Sequence, residues 1–287
     1  IAYRMLGTPG DAEDVVQEVW ERWHAGGGAA AEPAAFLRAV TTRLCIDRYR
    51  AEQRRRAHYP GPWLPEPVVG GDEPFEAVAL RRRASCALLW ALEVLTPLER
   101  ATFVLVEAFD YRAGEVAEVL GRTEANCRQL LHRARRRLAA LPPPGGMATE
   151  AEAAADREAE RLLTALLGAL ARGDAPAAEA LLAEDVGFVG DGGGEVPAVS
   201  RPVRGRRAVL RLLLGVGRRQ GGIAPVATPR LVNGRPGVLL SGPSGPETVL
   251  APVADRGRIG GLLAQRNPRK LARIESGSGP RRASARP

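Results

Sequence analysis

Three side chains at helical spacing, Gln129, His132 and Arg136, are the first groups in this sequence able to read a nucleic acid. With Ala125 they fall on one side of residues 124–141, because steps of 3 and 4 return to the same helical face. Asn126, Arg128, Arg133 and Arg137 flank them, and Arg122 and Thr123 precede them. Almost all of these groups donate to phosphate oxygens, and Gln and Arg also match base edges in a major groove. A solvated basic surface is the plainer reading of such residues taken alone. The scaffold favours recognition. Val116, Val119 and Leu120 give a short apolar helix, with Ala117 small enough for a close crossing. Gly121 tolerates a positive φ, and Thr123 suits an N-cap. The inner stripe expected of the second helix is Cys127, Leu131, Ala134 and Leu138. Residues 111–141 therefore read as a helix-turn-helix, a motif shared by many DNA-binding proteins.

Catalytic chemistry finds less support. From Gly145 onward there is no His, Tyr, Cys or Trp. Acid–base work would fall to Glu184, Asp185, Asp191, Glu195, Glu247 or Asp255. A carboxylate base usually needs a Tyr or a second acid to stabilise the oxyanion it creates, and here the donors at hand are chiefly Ser, Thr, Asn and Arg. The cysteines, Cys45, Cys86 and Cys127, are widely spaced and odd in number, which gives neither a disulfide framework nor a CxxC metal site. No catalytic residue, metal or cofactor is expected.

The 287 residues suffice for several domains. The net charge of +8 is unevenly placed: about +1 through Gly145 and +7 beyond it, largely in residues 266–287. DNA binding thus rests on local basic faces rather than bulk charge. Lys270 is the one lysine among 41 basic residues, a bias that reads as codon usage. No apolar run reaches membrane-spanning length and no signal peptide is visible, so a reducing bacterial cytoplasm fits. The chain starts in mid-pattern at Ile1, which predicts a missing N-terminal piece.

Along the chain, residues 1–6 read as a helix end. Residues 11–24 read as a helix with an apolar face of Val15, Val16, Val19, Trp20 and Trp23, and an acidic face of Asp11, Asp14, Gln17, Glu18 and Glu21. Residues 33–56 form a long helix that turns basic through Arg38, Arg43, Arg48, Arg50, Arg54, Arg55 and Arg56. A Pro-rich linker, 59–74, contains Trp63 and Leu64, apolar residues that should pack on another domain. Helices are expected at 75–95 and 98–109, the latter capped by Thr96 with Pro97 at its first position. The second half opens with helices at 150–172 and 176–182. Strands follow at 186–189, 223–232, 236–240, 248–253 and 258–265, with a helix at 206–214 and a hairpin turn at Asn233-Gly234. That order implies an α+β domain with a mostly antiparallel sheet. Its Asp191-Gly192-Gly193-Gly194-Glu195 segment is either a flexible loop or a close approach of another backbone. Residues 275–287 read as a disordered basic tail.

The first half resembles a bacterial sigma factor of the extracytoplasmic-function type. The resemblance is carried by AYRMLGTPGDAEDVVQEVW (2–20), FLRAVTTRLCIDRYR (36–50), LTPLERATFVL (95–105) and the helix-turn-helix. It implies two all-α domains: an N-terminally truncated region 2 (1–58) and a region 4 (75–144), joined by the linker. It implies that Asp11, Asp14, Gln17, Glu18 and Glu21 dock on core RNA polymerase. It further implies that the basic helix, with Arg48, Arg50, Arg54 and Arg55, engages the −10 element. Arg122, Thr123, Asn126, Arg128, Gln129, His132, Arg133 and Arg136 would bind the −35 element.

The second half narrows the resemblance. YPGPWLPEP (59–67), DGGGE (191–195), VNGRPG (232–237) and RNPRKL (266–271) are similar to sigma factors with a fused C-terminal SnoaL-like domain, a cone-shaped α+β barrel, here 148–274. The resemblance implies control of the sigma half in cis with no separate anti-sigma factor. Contact between the halves would run through Trp63, Leu64, Pro65, Glu66 and Pro67 on one side and Asp191, Gly192, Gly193 and Gly194 on the other. Glu195 stands where relatives usually carry Lys. Two rival readings are a SnoaL-like enzyme or small-molecule sensor, since such barrels hold apolar cavities for an unidentified ligand, and a stand-alone DNA-binding repressor. The acidic 11–21 helix argues against the repressor, which would not need it.

Overall fold

A computed structural model describes residues 1–26, 32–70, 84–141, 153–219 and 225–274. The first nine residues of the helix expected at 75–95 and the whole of the 275–287 tail lie outside these residues.

The first helix, α1 (Ala2–Leu6), stops at Gly7, whose left-handed φ of 77° a side chain would resist. Next, α2 (Pro9–Ala25) starts with Pro9, where the missing N–H costs nothing. It buries Ala12, Val15 and Val19. The wider apolar face expected for it does not form: Val16 and Trp20 are 59% and 57% exposed, because they sit one step round from the 12–15–19 row. Trp23 is half-buried and packs on Phe36. Helix α3 (Pro33–Arg56) has the expected bounds.

After the linker, α4 (Cys86–Ala91) is capped by the Ser85 hydroxyl and runs into a 3-10 turn, Leu92–Val94. Helix α5 (Pro97–Phe109) opens with a full capping box, Thr96 and Glu99 each bonding the other's backbone N–H. The helix-turn-helix is α6 (Ala113–Leu120) and α7 (Glu124–Ala139). The inner row of α7 is Cys127, Leu130 and Ala134, with Leu131 only partly buried, so the expected stripe is corrected by one position.

The two helical regions do not form separate cores. Met5, Leu6, Val15, Val19, Leu44, Ile46 and Tyr49 from α1–α3 share one apolar cluster with Leu88, Leu89, Leu92, Leu95, Ala101, Val104 and Ala134 from α4–α7.

The second half contains α8 (Ala153–Ala171), α9 (Ala175–Ala180), β2 (Leu182–Asp191), β3 (Val203–Arg204), α10 (Arg206–Arg219), β4 (Val226–Val232), β5 (Arg235–Gly242), β6 (Gly245–Asp255), β7 (Arg258–Gln265) and α11 (Pro268–Leu271). The linker itself supplies β1 (Val69–Gly70), antiparallel to β4 at the sheet edge. The strand order is β1-β4-β5-β6-β7-β2-β3, antiparallel except for the β2–β7 pair. Sequence reading missed β1, β3 and α11, which are too short to show a period, and underestimated β2, β5, β6 and α10.

The sheet is covered on both faces. One face, with Val186, Phe188, Val238, Leu250 and Leu262, packs on Leu162, Leu163 and Leu166 of α8. The other face, with Val189 and Leu263, receives Leu64 of the linker and Ala87 of α4. Leu239 and Val249, also on this face, pack on Cys86. Leu64 is 2% exposed, and burying a leucine this fully contributes about 1.5–3 kcal/mol. The α+β arrangement expected of this half is present, and the helical half forms one of its walls.

Candidate nucleic-acid interface and the joint between the halves

The turn of the helix-turn-helix is built by local chemistry. Gly121 adopts φ 61°, although a Cβ there would meet nothing within 4 Å, so conformation rather than space explains the glycine. The Thr123 hydroxyl accepts from the Asn126 N–H at 3.2 Å and starts α7. Arg122, Thr123, Arg128, Gln129, His132 and Arg136 are exposed, and Asn126 is half-buried beside them. Arg128 pairs with Glu124 one turn back. Arg133 departs from the expected set: its guanidinium donates to Glu99 at 3.2 Å, and Arg137 joins it at 3.0 Å. Burial pushes the Glu99 carboxyl up, but bonds from Thr96 and the two arginines outweigh it and hold it below its ordinary value. Arg133 and Arg137 therefore fasten α7 to α5.

The acidic row of α2 is exposed at Asp14, Gln17 and Glu21 and partly so at Asp11 and Glu18. Arg48, expected on DNA, lies against this row instead, 3.5 Å from Asp14 and 3.2 Å from Glu18. Arg50 pairs with Asp47 and Arg55 with Glu52 on the same helix, and Arg54 is exposed. The basic run ends inward. Arg56 donates to Glu93 at 2.6 Å and to the Leu6 carbonyl at 3.2 Å, and its guanidinium lies 3.4 Å from the Trp63 ring centroid. Glu93 also accepts from Arg100 at 2.5 Å. Arg100 is fully buried and donates further to the Tyr49 hydroxyl and the Arg4 carbonyl. These residues tie the second helical region to the first, and nothing in their spacing marked them.

The joint between the halves is centred on Asp191, which is fully buried. Its carboxylate accepts from the Tyr59 hydroxyl at 2.6 Å, the Leu64 N–H at 2.9 Å and the Gly193 N–H at 2.9 Å, and pairs with Lys270 at 2.7 Å. The Lys270 ammonium also donates to the Leu64 carbonyl at 2.6 Å and sits 4.2 Å from the Trp63 ring. Burial pulls the Lys270 amine down to about 8, against the opposing pull of Asp191. Gln265 donates to the Leu64 and Pro65 carbonyls, and the Glu66 N–H to the Gly7 carbonyl. The glycines serve close approach rather than a flexible loop. A Cβ on Gly192 would meet the Val196 carbonyl at 2.3 Å, one on Gly193 the Asn267 amide at 2.4 Å, and one on Gly194 the Pro60 ring at 2.6 Å. Glu195 pairs with Arg269 of its own domain. Pro67 lines a small apolar gap with Cys86 and Val249.

A second hub was read as a turn within the VNGRPG motif, with no contact assigned to it. Asn233, at φ 54° in the β4–β5 hairpin, is fully buried. Its amide accepts from the Val68 N–H and donates to the Ala84 carbonyl and the Tyr3 hydroxyl, all within 2.9 Å. One side chain thus meets the linker and both helical regions. The signal that could have found Lys270 was its rarity: forty arginines and one lysine call for a site where guanidinium does not fit.

The other carboxylates do not converge. Glu184 is exposed beside Arg206, Asp255 lies near Arg256, and Asp191 is fully occupied. Among the described residues no group of His, Cys, Asp and Glu is placed to hold a metal ion, and no helix is long and apolar enough to cross a membrane.

Family models match twice: Sigma-70 region 2 over residues 1–55 and Sigma-70, region 4 over residues 87–138. The ECF RNA polymerase sigma factor SigJ of Mycobacterium tuberculosis is 40% identical over 246 residues, 84% of this chain and 77% of the relative. A probable ECF RNA polymerase sigma factor from the same species, SigI, is 37% identical over 48% of this chain and 49% of its own length. The crystal structure of the Mycobacterium tuberculosis SigJ protein superposes with a TM-score of 0.74 at 35% identity, covering 94% of this chain and 93% of that one. The superposition therefore extends over the C-terminal half as well as the helical one. This chain belongs to the extracytoplasmic-function sigma factors, the subunits that direct RNA polymerase to initiate at specific promoters.

Proposed function

We propose that the structure is the closed form of this initiation factor, held shut by its own C-terminal domain. The observation that carries this is the single core shared by the two helical regions. Elements named for positions −10 and −35 lie 25 base pairs apart, about 85 Å at 3.4 Å per pair. A compact body of the size of the helical half is only roughly 40 Å across. Both elements cannot be held at once until the shared core parts. In the open form Gln129, His132, Arg136 and their exposed neighbours read the −35 element. Arg50, Arg54 and Arg55 engage the −10 region, with Arg48 joining them once released from Glu18. Asp11, Asp14, Gln17, Glu18 and Glu21, with the bare Val16 and Trp20 beside them, dock on core polymerase in the cytoplasm.

The C-terminal domain acts as a regulator in cis rather than as an enzyme. Its helix-facing interior is filled by leucines, and its buried carboxylate is committed to the joint. By occupying both helical regions and the linker it takes the place of a separate anti-sigma factor. The test is initiation in vitro with purified core polymerase, comparing the full chain with one ending at Pro144. A change in promoter-dependent initiation is expected on truncation; identical initiation by the two chains overturns regulation in cis.

A further inference from the structure

We infer that Arg201, Arg204, Arg207 and Arg211 form a second, sequence-independent contact surface for the phosphate backbone of duplex DNA, carried by the C-terminal domain. Charge within that domain is segregated. From Val196 to Pro246 the chain has nine arginines and no Asp or Glu. At the whole-chain frequency of 33 acidic residues in 287, a stretch of 51 would hold about six. Five of the nine arginines fall within residues 201–211.

The structure sorts these five. Arg206 is an anchor: it pairs with Glu184 at 3.1 Å and donates to the Leu182 carbonyl at 3.0 Å. Arg201, Arg204, Arg207 and Arg211 are exposed, and none forms an ion pair with a described residue. Arg204 lies on β3, the edge strand of the sheet. Gly205, at φ 87°, turns the chain straight into α10. Arg207 and Arg211 are four apart on that helix, so their Cβ atoms are about 5–6 Å from each other. The first turn of α10 holds no acidic residue, which leaves the positive end of the helix dipole uncompensated beside them.

Like charges at this spacing repel and destabilise the helix that carries them. A partner with regularly spaced negative charge relieves that cost, and duplex DNA is the polyanion this family brings to hand. The corner has guanidinium groups but no aromatic side chain, the composition for gripping phosphates rather than stacking on or reading bases. The inference rests on the sigma reading only for the presence of DNA. Its test uses a duplex without a promoter, so the two can fail separately.

The measurement is the affinity of the full chain for a labelled non-promoter duplex between 50 and 200 mM salt. Each phosphate contact adds about 0.9 to the slope of log affinity against log salt. The Arg207→Gln/Arg211→Gln variant is expected to lower that slope by about 1.8, and Arg201→Gln/Arg204→Gln by a similar amount. Arg230→Gln is the control, an arginine on β4, near the opposite edge of the same sheet from β3. An unchanged slope in both double variants overturns the inference, as does an equal loss per arginine in the control, which would make the effect one of bulk charge. Unchanged DNA binding with weakened binding to core polymerase also overturns it, in favour of an acidic protein surface.

Discussion

The recognition helix and the joint use the same groups to opposite ends. On α7, Gln129, His132 and Arg136 stand exposed with no side-chain partner among the described residues. At the joint, Lys270, Gln265 and Asn233 are buried, Tyr59 is half-buried, and their side-chain donors are bonded. The contrast separates binding from holding. A face that waits for DNA keeps its donors solvated and loses little by being alone. A joint that must choose one arrangement takes its donors out of water, where an unmatched partner is costly. The joint is thus the more fragile of the two, and opening it requires something that rewets or replaces those bonds.

Removing one partner at the joint should have the largest effect. Asp191→Ala leaves the Lys270 ammonium buried without its counter-ion, a loss on the order of 3–5 kcal/mol. Thermal unfolding and proteolysis within residues 59–70 should both show the halves loosened; unchanged melting and protection would remove the distinction drawn here. On the exposed side, Gln129→Ala and Arg136→Ala should each cost about 1–3 kcal/mol in −35 discrimination while leaving the melting temperature within a degree or two. Unaltered promoter selectivity in both would place recognition elsewhere.

A smaller effect follows from the Lys270 amine. With the joint closed it titrates at about 8, below the ordinary 10.5 that it regains on opening. Between about pH 8 and 10 the open form therefore binds more protons, and closure should strengthen as pH rises, by at most tenfold per unit for one proton. Above pH 10 the raised Tyr59 hydroxyl works the other way, since there the closed form is the one that keeps its proton. Protease protection of the linker across this range reads the sign, and weakening between pH 8 and 10 would contradict it.

Much of the helical half was legible because its signals are local. Thr96-Pro97, Gly121 and Thr123 mark ends by capping and by φ, which need no tertiary information. The widths of faces were harder to read. Val16 and Trp20 look like core by type, yet the packing of α1 and α3 selects the 12–15–19 row. Arg48 and Arg133 were expected on DNA, and their acidic partners lie 30 and 34 residues away. The joint motifs pointed to the right segments through resemblance. The bonds of Asn233 and Lys270 stayed hidden because they join distant segments, Asn233 to Ala84 across 149 residues and Lys270 to Leu64 across 206.

That separation has a consequence in time. The linker strand β1 finds its place only when β4 exists, and Val68 waits for Asn233 across 165 residues. Ribosomes add roughly 5–20 residues each second. From the end of α7 at Ala139 to Lys270 is a further 131 residues, so a nascent chain carries its helical half, without its closing domain, for roughly 7–26 s. Each new copy passes through an unguarded youth before the rest of its own sequence arrives to restrain it.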